Sequence, residues 1–81
     1  MADDTATVRF LKKRSFSIAG HRTSIALEPE FWSALEFQAV RSRQSLSAFV
    51  ASVDATRGAR PLASALRLAA LASVHAPRRT V

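Results

Sequence analysis

The residues of this chain that could do chemistry are mostly cations. It has no cysteine or tyrosine, and its only imidazoles, His21 and His75, stand 54 positions apart. A triad of a serine, His21 and Asp54 would be drawn from chance ingredients, and no paired carboxylates stand in a recognisable setting, so no enzyme is expected. A zinc site would need scattered carboxylates to complete it, so no metal and no cofactor is expected either. Twelve Lys and Arg against six Asp and Glu give a net charge of +6 and a pI near 11.6. Such a field favours polyanions. Within it, Arg22, Ser24 and Ala26 stand at alternate positions of GHRTSIALEPEFW, residues 20 to 32. An arginine can take guanine O6 and N7 in a bidentate pair, a serine can donate or accept, and an alanine offers a methyl contact, as to thymine.

The elements that position these residues follow from periodicity. Thr23, Ile25 and Leu27 alternate with Arg22, Ser24 and Ala26, which predicts a strand over 22–27. Pro29 suits the first turn of a helix, and Glu28 and Glu30 suit the positive end of its dipole. That helix, 29–42, gathers Phe31, Trp32, Leu35, Gln38 and Ala39 on one side, with Phe37 and Val40 opposite. Ser45 is a good N-cap for a second helix, 46–57, whose inward face is Leu46, Phe49, Val50 and Val53, and Gly58 closes it. The segment 59–75 holds an apolar helix, PLASALRLAALASV at 61–74, with Arg67 its only charge. A helix apolar nearly all round must be packed on several sides.

Around this core of residues 14–58, segment 1–13 reads as a flexible basic arm and 76–81 as a loose tail. Residues 8–14, VRFLKKR, fit either an amphipathic start of structure or an arm that tracks phosphates. Phe16 and Ile18 also alternate with Ser15 and Ser17, and Ala19-Gly20 is a bend. Residues 14–20 therefore extend the strand, form a hairpin with 22–27, or remain an arm. No internal repeat, no membrane-length apolar run and no secretory signal stands out, so a cytoplasmic protein with no membrane role is expected.

One strand cannot be a sheet, and unpaired edges are hazardous. The simplest remedy is an antiparallel second copy in a two-fold homodimer, which would also enlarge the core of so small a chain. Thr23, Ile25, Leu27, Phe31, Trp32, Leu35, Phe49, Val50 and Val53 are the expected dimer core. Arg22, Ser24 and Ala26 of each chain would face outward on a two-stranded ribbon that fits the major groove of DNA.

The pattern resembles the ribbon-helix-helix class, to which the methionine and Arc repressors belong. More closely, RSFSIAGHRTSIALEPEFWSALEFQA, SLSAFVASVDATRG and LASALRLAAL resemble a bacterial ribbon-helix-helix domain family with a GHRTS-type strand and an LE-x-x-FW helix start, over residues 14–71. The resemblance implies a mainly α fold with a short strand: a β-α-α intertwined homodimer, here with an added C-terminal helix. It also implies that Arg22, Ser24 and Ala26 face bases and that the amide end of the second helix, at Ser45, Leu46 and Ser47, meets a phosphate, as a helix N-terminus attracts anions. Ala26 departs from the longer polar side chains of better-known members, which weakens the expectation of tight discrimination.

Arg41 and Arg43, in the turn between helices, and Lys12, Lys13 and Arg14 are the further phosphate contacts expected. Each role has a plainer rival. Arg22 also serves as a charge that protects a strand edge, Ser45 as a cap, His21 as a turn residue rather than a base reader, and Trp32 as core rather than a stacking platform. The expected function is a DNA-binding transcriptional regulator, a repressor by occlusion, whose partners are double-stranded DNA and a second copy, with higher-order association on DNA left open. The alternative is an antitoxin or adaptor that docks a partner protein through residues 61–74, with Phe37 and Val40, unless that helix covers Phe37 and Val40 itself.

Overall fold

The computed structural model describes residues 10–75, with side chains through residue 72. Residues 1–9, most of the expected basic arm, and the tail 76–81 lie outside the described residues. The order is β1 (Lys12–Ile18), β2 (His21–Leu27), α1 (Pro29–Arg41), α2 (Leu46–Thr56) and α3 (Leu62–His75).

The strand at 22–27 is not alone, which corrects the lone-strand expectation. β1 pairs antiparallel with β2 along its whole length, from Lys12 opposite Leu27 to Ile18 opposite His21. Of the three conformations open to residues 14–20, the chain takes the hairpin, and β1 includes Lys12 and Lys13 from the expected arm. Ala19 and Gly20 make the turn with φ of 52° and 84°. Two successive positive φ values match the right-handed twist of the strands they join.

Side chains alternate across a strand, so the hairpin has two faces. The inner one lays Phe16, Ile18, Ile25 and Leu27 on the helices. β1 packs against α2 and β2 against α3. Trp32, Leu35, Val50, Leu66 and Ala70 complete the buried cluster, with Phe31, Phe49 and Val53 packed at its margin. Of the expected dimer core, Ile25, Leu27, Trp32, Leu35 and Val50 are buried within one chain, whereas Thr23, Phe31, Phe49 and Val53 stay half-buried.

Local chemistry sets the helix boundaries. Pro29 opens α1, with Phe31 and Trp32 donating backbone N–H to the Glu28 carbonyl at 2.9 and 3.2 Å. Arg43, at φ 59°, ends it in a left-handed turn whose N–H reaches the Val40 carbonyl at 3.0 Å. Ser45 caps α2 by accepting from Ala48 N–H at 3.0 Å. α3 turns Leu66 and Ala70 into the core and is fastened to α1 at two points. Gln38 Nε2 donates to the Ala69 carbonyl, and Arg67 donates from Nε and Nη2 to Glu28 Oε1 at 3.1 and 3.0 Å.

The Glu28 carboxyl sits below its ordinary value. The main cause is a hydrogen bond to its own backbone, followed, against the opposing effect of burial, by the hydrogen bond and charge of Arg67. Phe37 and Val40 stay 56% and 73% exposed, so α3 does not cover them. The Arg41 guanidinium lies over the Phe37 ring, 5.6 Å from its centroid.

Candidate nucleic-acid interface

The outer face of the hairpin carries three cross-strand pairs: Lys13 with Ala26, Ser15 with Ser24, and Ser17 with Arg22. All but the half-buried Ala26 are exposed. Arg22, Ser24 and Ala26 thus share one face, as their alternation requires, and β1 adds three residues that the sequence reading did not place there as a group. Their signal was present in the alternation of Ser15 and Ser17 with Phe16 and Ile18. At the centre, the Ser15 and Ser24 hydroxyls lie 2.9 Å apart, and either can donate to the other.

The basic residues divide between the two faces. Arg14 belongs to the inner series, where its Nη1 lies 2.8 Å from Glu36 Oε2 and its guanidinium stacks 5.2 Å from the Trp32 ring centroid. Arg14, expected among the phosphate contacts, is thus paired with a carboxylate and stacked on the core while its side chain stays 36% exposed. The rings of Phe16 and Trp32, 5.9 Å apart, continue the same layer. Trp32 is buried, so it is core and not a stacking platform. His21 falls in the inner series at the turn end, away from the Arg22 face.

Carboxylates are mostly occupied elsewhere. Glu36 pairs with Arg14, Asp54 with Arg57 at 2.7 Å, and Glu28 with Arg67. Among the described residues Lys12, Lys13, Arg22, Arg41 and Arg43 are exposed and make no ion pair. Positive charge is therefore left uncompensated on the ribbon and in the α1–α2 turn. That turn leads into the N-terminus of α2, where Ser45 and Ser47 are exposed and Leu46 packs against the core. The cap role of Ser45 is visible, and the remaining first-turn amides stand at the positive end of the dipole.

Among the described residues no group of His, Asp and Glu could hold a metal ion, and no helix is long and apolar enough to cross a membrane. The arrangement can present hydrogen-bond donors and acceptors, with positive charge, from a two-stranded surface.

No curated protein and no solved structure matches the chain. A protein-family model does match, over residues 11–74, and its description is a ribbon-helix-helix domain. The span takes in the hairpin and all but the last residue of α3, so the chain belongs to the ribbon-helix-helix domain family.

Proposed function

We propose that this chain is a sequence-specific double-stranded-DNA-binding regulator of transcription that represses by occluding its site. The observation that carries this reading is the outer face of the hairpin, where an exposed and unpaired Arg22 stands beside serine hydroxyls while Glu28, Glu36 and Asp54 are paired with other cations. Family membership supports it, since ribbon-helix-helix domains are typically DNA-binding regulators or antitoxins. A two-stranded ribbon fits the major groove, so Arg22, Ser24 and Ala26 read bases. Lys12, Lys13, Arg41, Arg43 and the amide end of α2 at Ser45, Leu46 and Ser47 hold phosphates. The ribbon in this reading uses the hairpin, and β2, whose other edge is unpaired among the described residues, offers that edge for the intertwined pairing of two chains.

A homodimer belongs to the same reading, with Phe37 and Val40 as its apolar contact, and sedimentation at micromolar concentration tests it. DNA binding is tested by enrichment of bound sequences from random duplexes at two salt concentrations. A motif with affinity that falls as salt rises is the expected result. Salt-sensitive binding without a motif would make the chain a nonspecific DNA coater.

A second reading has a specific observation behind it. Leu68 and Leu71 are exposed on α3, and a 430 Å³ groove is lined by Leu68 with Val53, Arg57, Arg60 and Ala69. An antitoxin or adaptor would seat an apolar, acidic segment of a partner protein there. Leu68→Ser with Leu71→Ser would then abolish partner capture without changing DNA affinity.

A further inference from the structure

β2 has two edges, and β1 fills one of them. When a second copy pairs along the other, each β1 becomes an outermost strand, because β2 then lies between it and the two-fold axis. Four strands at about 4.8 Å spacing set the two β1 axes roughly 14 Å apart, whereas the major groove is roughly 12 Å wide. The β2 pair fits between the groove walls and the β1 strands do not. Each β1 is therefore carried over a wall, and the walls are phosphate backbone.

The outward residues of the two strands differ as this placement requires. Lys13, Ser15 and Ser17 of β1 are exposed, and each ends in a proton donor, which suits phosphate oxygens that only accept. β2 includes Ala26, whose methyl has nothing to offer a phosphate but can lie on thymine. None of the six outward residues is acidic. The short side chains at 15 and 17 let the backbone of β1 come close to a ridge that longer ones would hold off. Ser15 can accept from Ser24 across 2.9 Å and keep its own proton for the outward side.

We infer that β1 is a phosphate-binding rail: Lys13, Ser15 and Ser17 of each chain hold the backbone along the groove walls and take no part in choosing the sequence. The inference rests on the DNA-binding reading above, with its pairing of two β2 edges. Two uncharged hydroxyls thereby join the cations that hold DNA in place. The hairpin divides its labour by strand, with β2 in the groove and β1 on its rim.

The test measures affinity on the preferred duplex and on random duplex at several salt concentrations. It compares the full chain with Lys13→Ala and Ser17→Ala, each first shown by melting curve to fold. Lys13→Ala should weaken both duplexes equally and lower the slope of log affinity against log salt by about one per chain. Ser17→Ala removes no charge, so it should weaken both by roughly three- to ten-fold per hydrogen bond lost and leave the slope unchanged. Neither should alter the motif obtained by enrichment. A changed motif would make β1 a reader of bases, and unchanged affinity would put it clear of the DNA. Either result overturns the inference while DNA binding stands. If the wild type binds without a motif, the losses on random duplex still decide the role of β1. If it binds no duplex, both readings fail.

Neutralising one phosphate at a time locates the contacts. A methylphosphonate at the phosphate that Lys13 holds, one on each wall, should weaken the wild type and make little difference to Lys13→Ala. If every methylphosphonate costs Lys13→Ala as much as it costs the wild type, Lys13 holds no phosphate and the rail is rejected.

Discussion

Trp32 donates its indole N–H to the Lys12 carbonyl over 2.8 Å, joining the first helix to the first residue of the hairpin. The two are 20 positions apart, and the bond fixes the free end of β1 against the core, where pairing with β2 alone would leave it to fray. Arg14 seals the same corner by lying over the indole while paired with Glu36. Replacing Trp32 with Phe keeps most of the apolar contact and removes the donor. The expected cost is about 1–3 kcal/mol, because a carbonyl in a partly buried site loses its partner, and the midpoint of urea unfolding measures it.

The two faces of the ribbon separate the effects of its cations. Arg22→Ala should lose about 1–3 kcal/mol on the preferred duplex and much less on random DNA, and equal losses on both would rule out direct reading by that residue. With about six phosphates neutralised, log affinity should fall with log salt at a slope of roughly five. Arg14→Ala should leave that slope unchanged and cost only about 0–1 kcal/mol of stability, as befits a half-exposed ion pair. Competition binding at several salt concentrations checks both.

The hairpin turn holds an alanine in a backbone region that suits glycine. Ala19 has φ of 52°, which crowds its Cβ against the following carbonyl. Ala19→Gly relieves that strain and gives back part of the gain as chain entropy, so a net stabilisation of about 0.5–1 kcal/mol is expected in thermal or urea unfolding.

Glu28 makes the junction of α1 and α3 sensitive to acid. Its folded carboxyl is easier to ionise than its unfolded one, so the stability it contributes is fully present above the ordinary value of 4.5 and is lost as pH falls through the folded value. Glu28→Gln should flatten the acid limb of a stability–pH curve and leave the neutral region with a lower, pH-independent plateau.

α3 has an inner and an outer side that substitution should distinguish. Leu66 is fully buried, so Leu66→Ala should cost about 2–5 kcal/mol. Leu68→Ser, on an exposed site, should stay within about 0.5 kcal/mol. Truncation after residue 60 removes Leu66 and Ala70 from the core and should unfold the chain, which circular dichroism would report.

Much of this was legible in local chemistry. Pro29, Ser45 and Gly58 mark where helices begin and end because capping and proline geometry are settled within a few residues. The alternation of 22–27 puts Arg22, Ser24 and Ala26 on one face for the same local reason. β1 is harder to see, since Lys12, Lys13 and Arg14 fit an arm that tracks phosphates as well as an amphipathic start of structure. The groups that make Arg14 inward, Glu36 and Trp32, lie 22 and 18 positions away. Nor does an apolar circumference say which side of α3 faces in. That is decided by where Gln38 and Glu28 meet it, a tertiary fact.

The two-residue turn at Ala19-Gly20 also has a consequence for abundance. Strands joined this way meet as neighbours on one tether, with no mass-action penalty for finding each other. A sheet built from separate molecules melts apart on dilution, but this one persists at any copy number at which the chain itself stays folded.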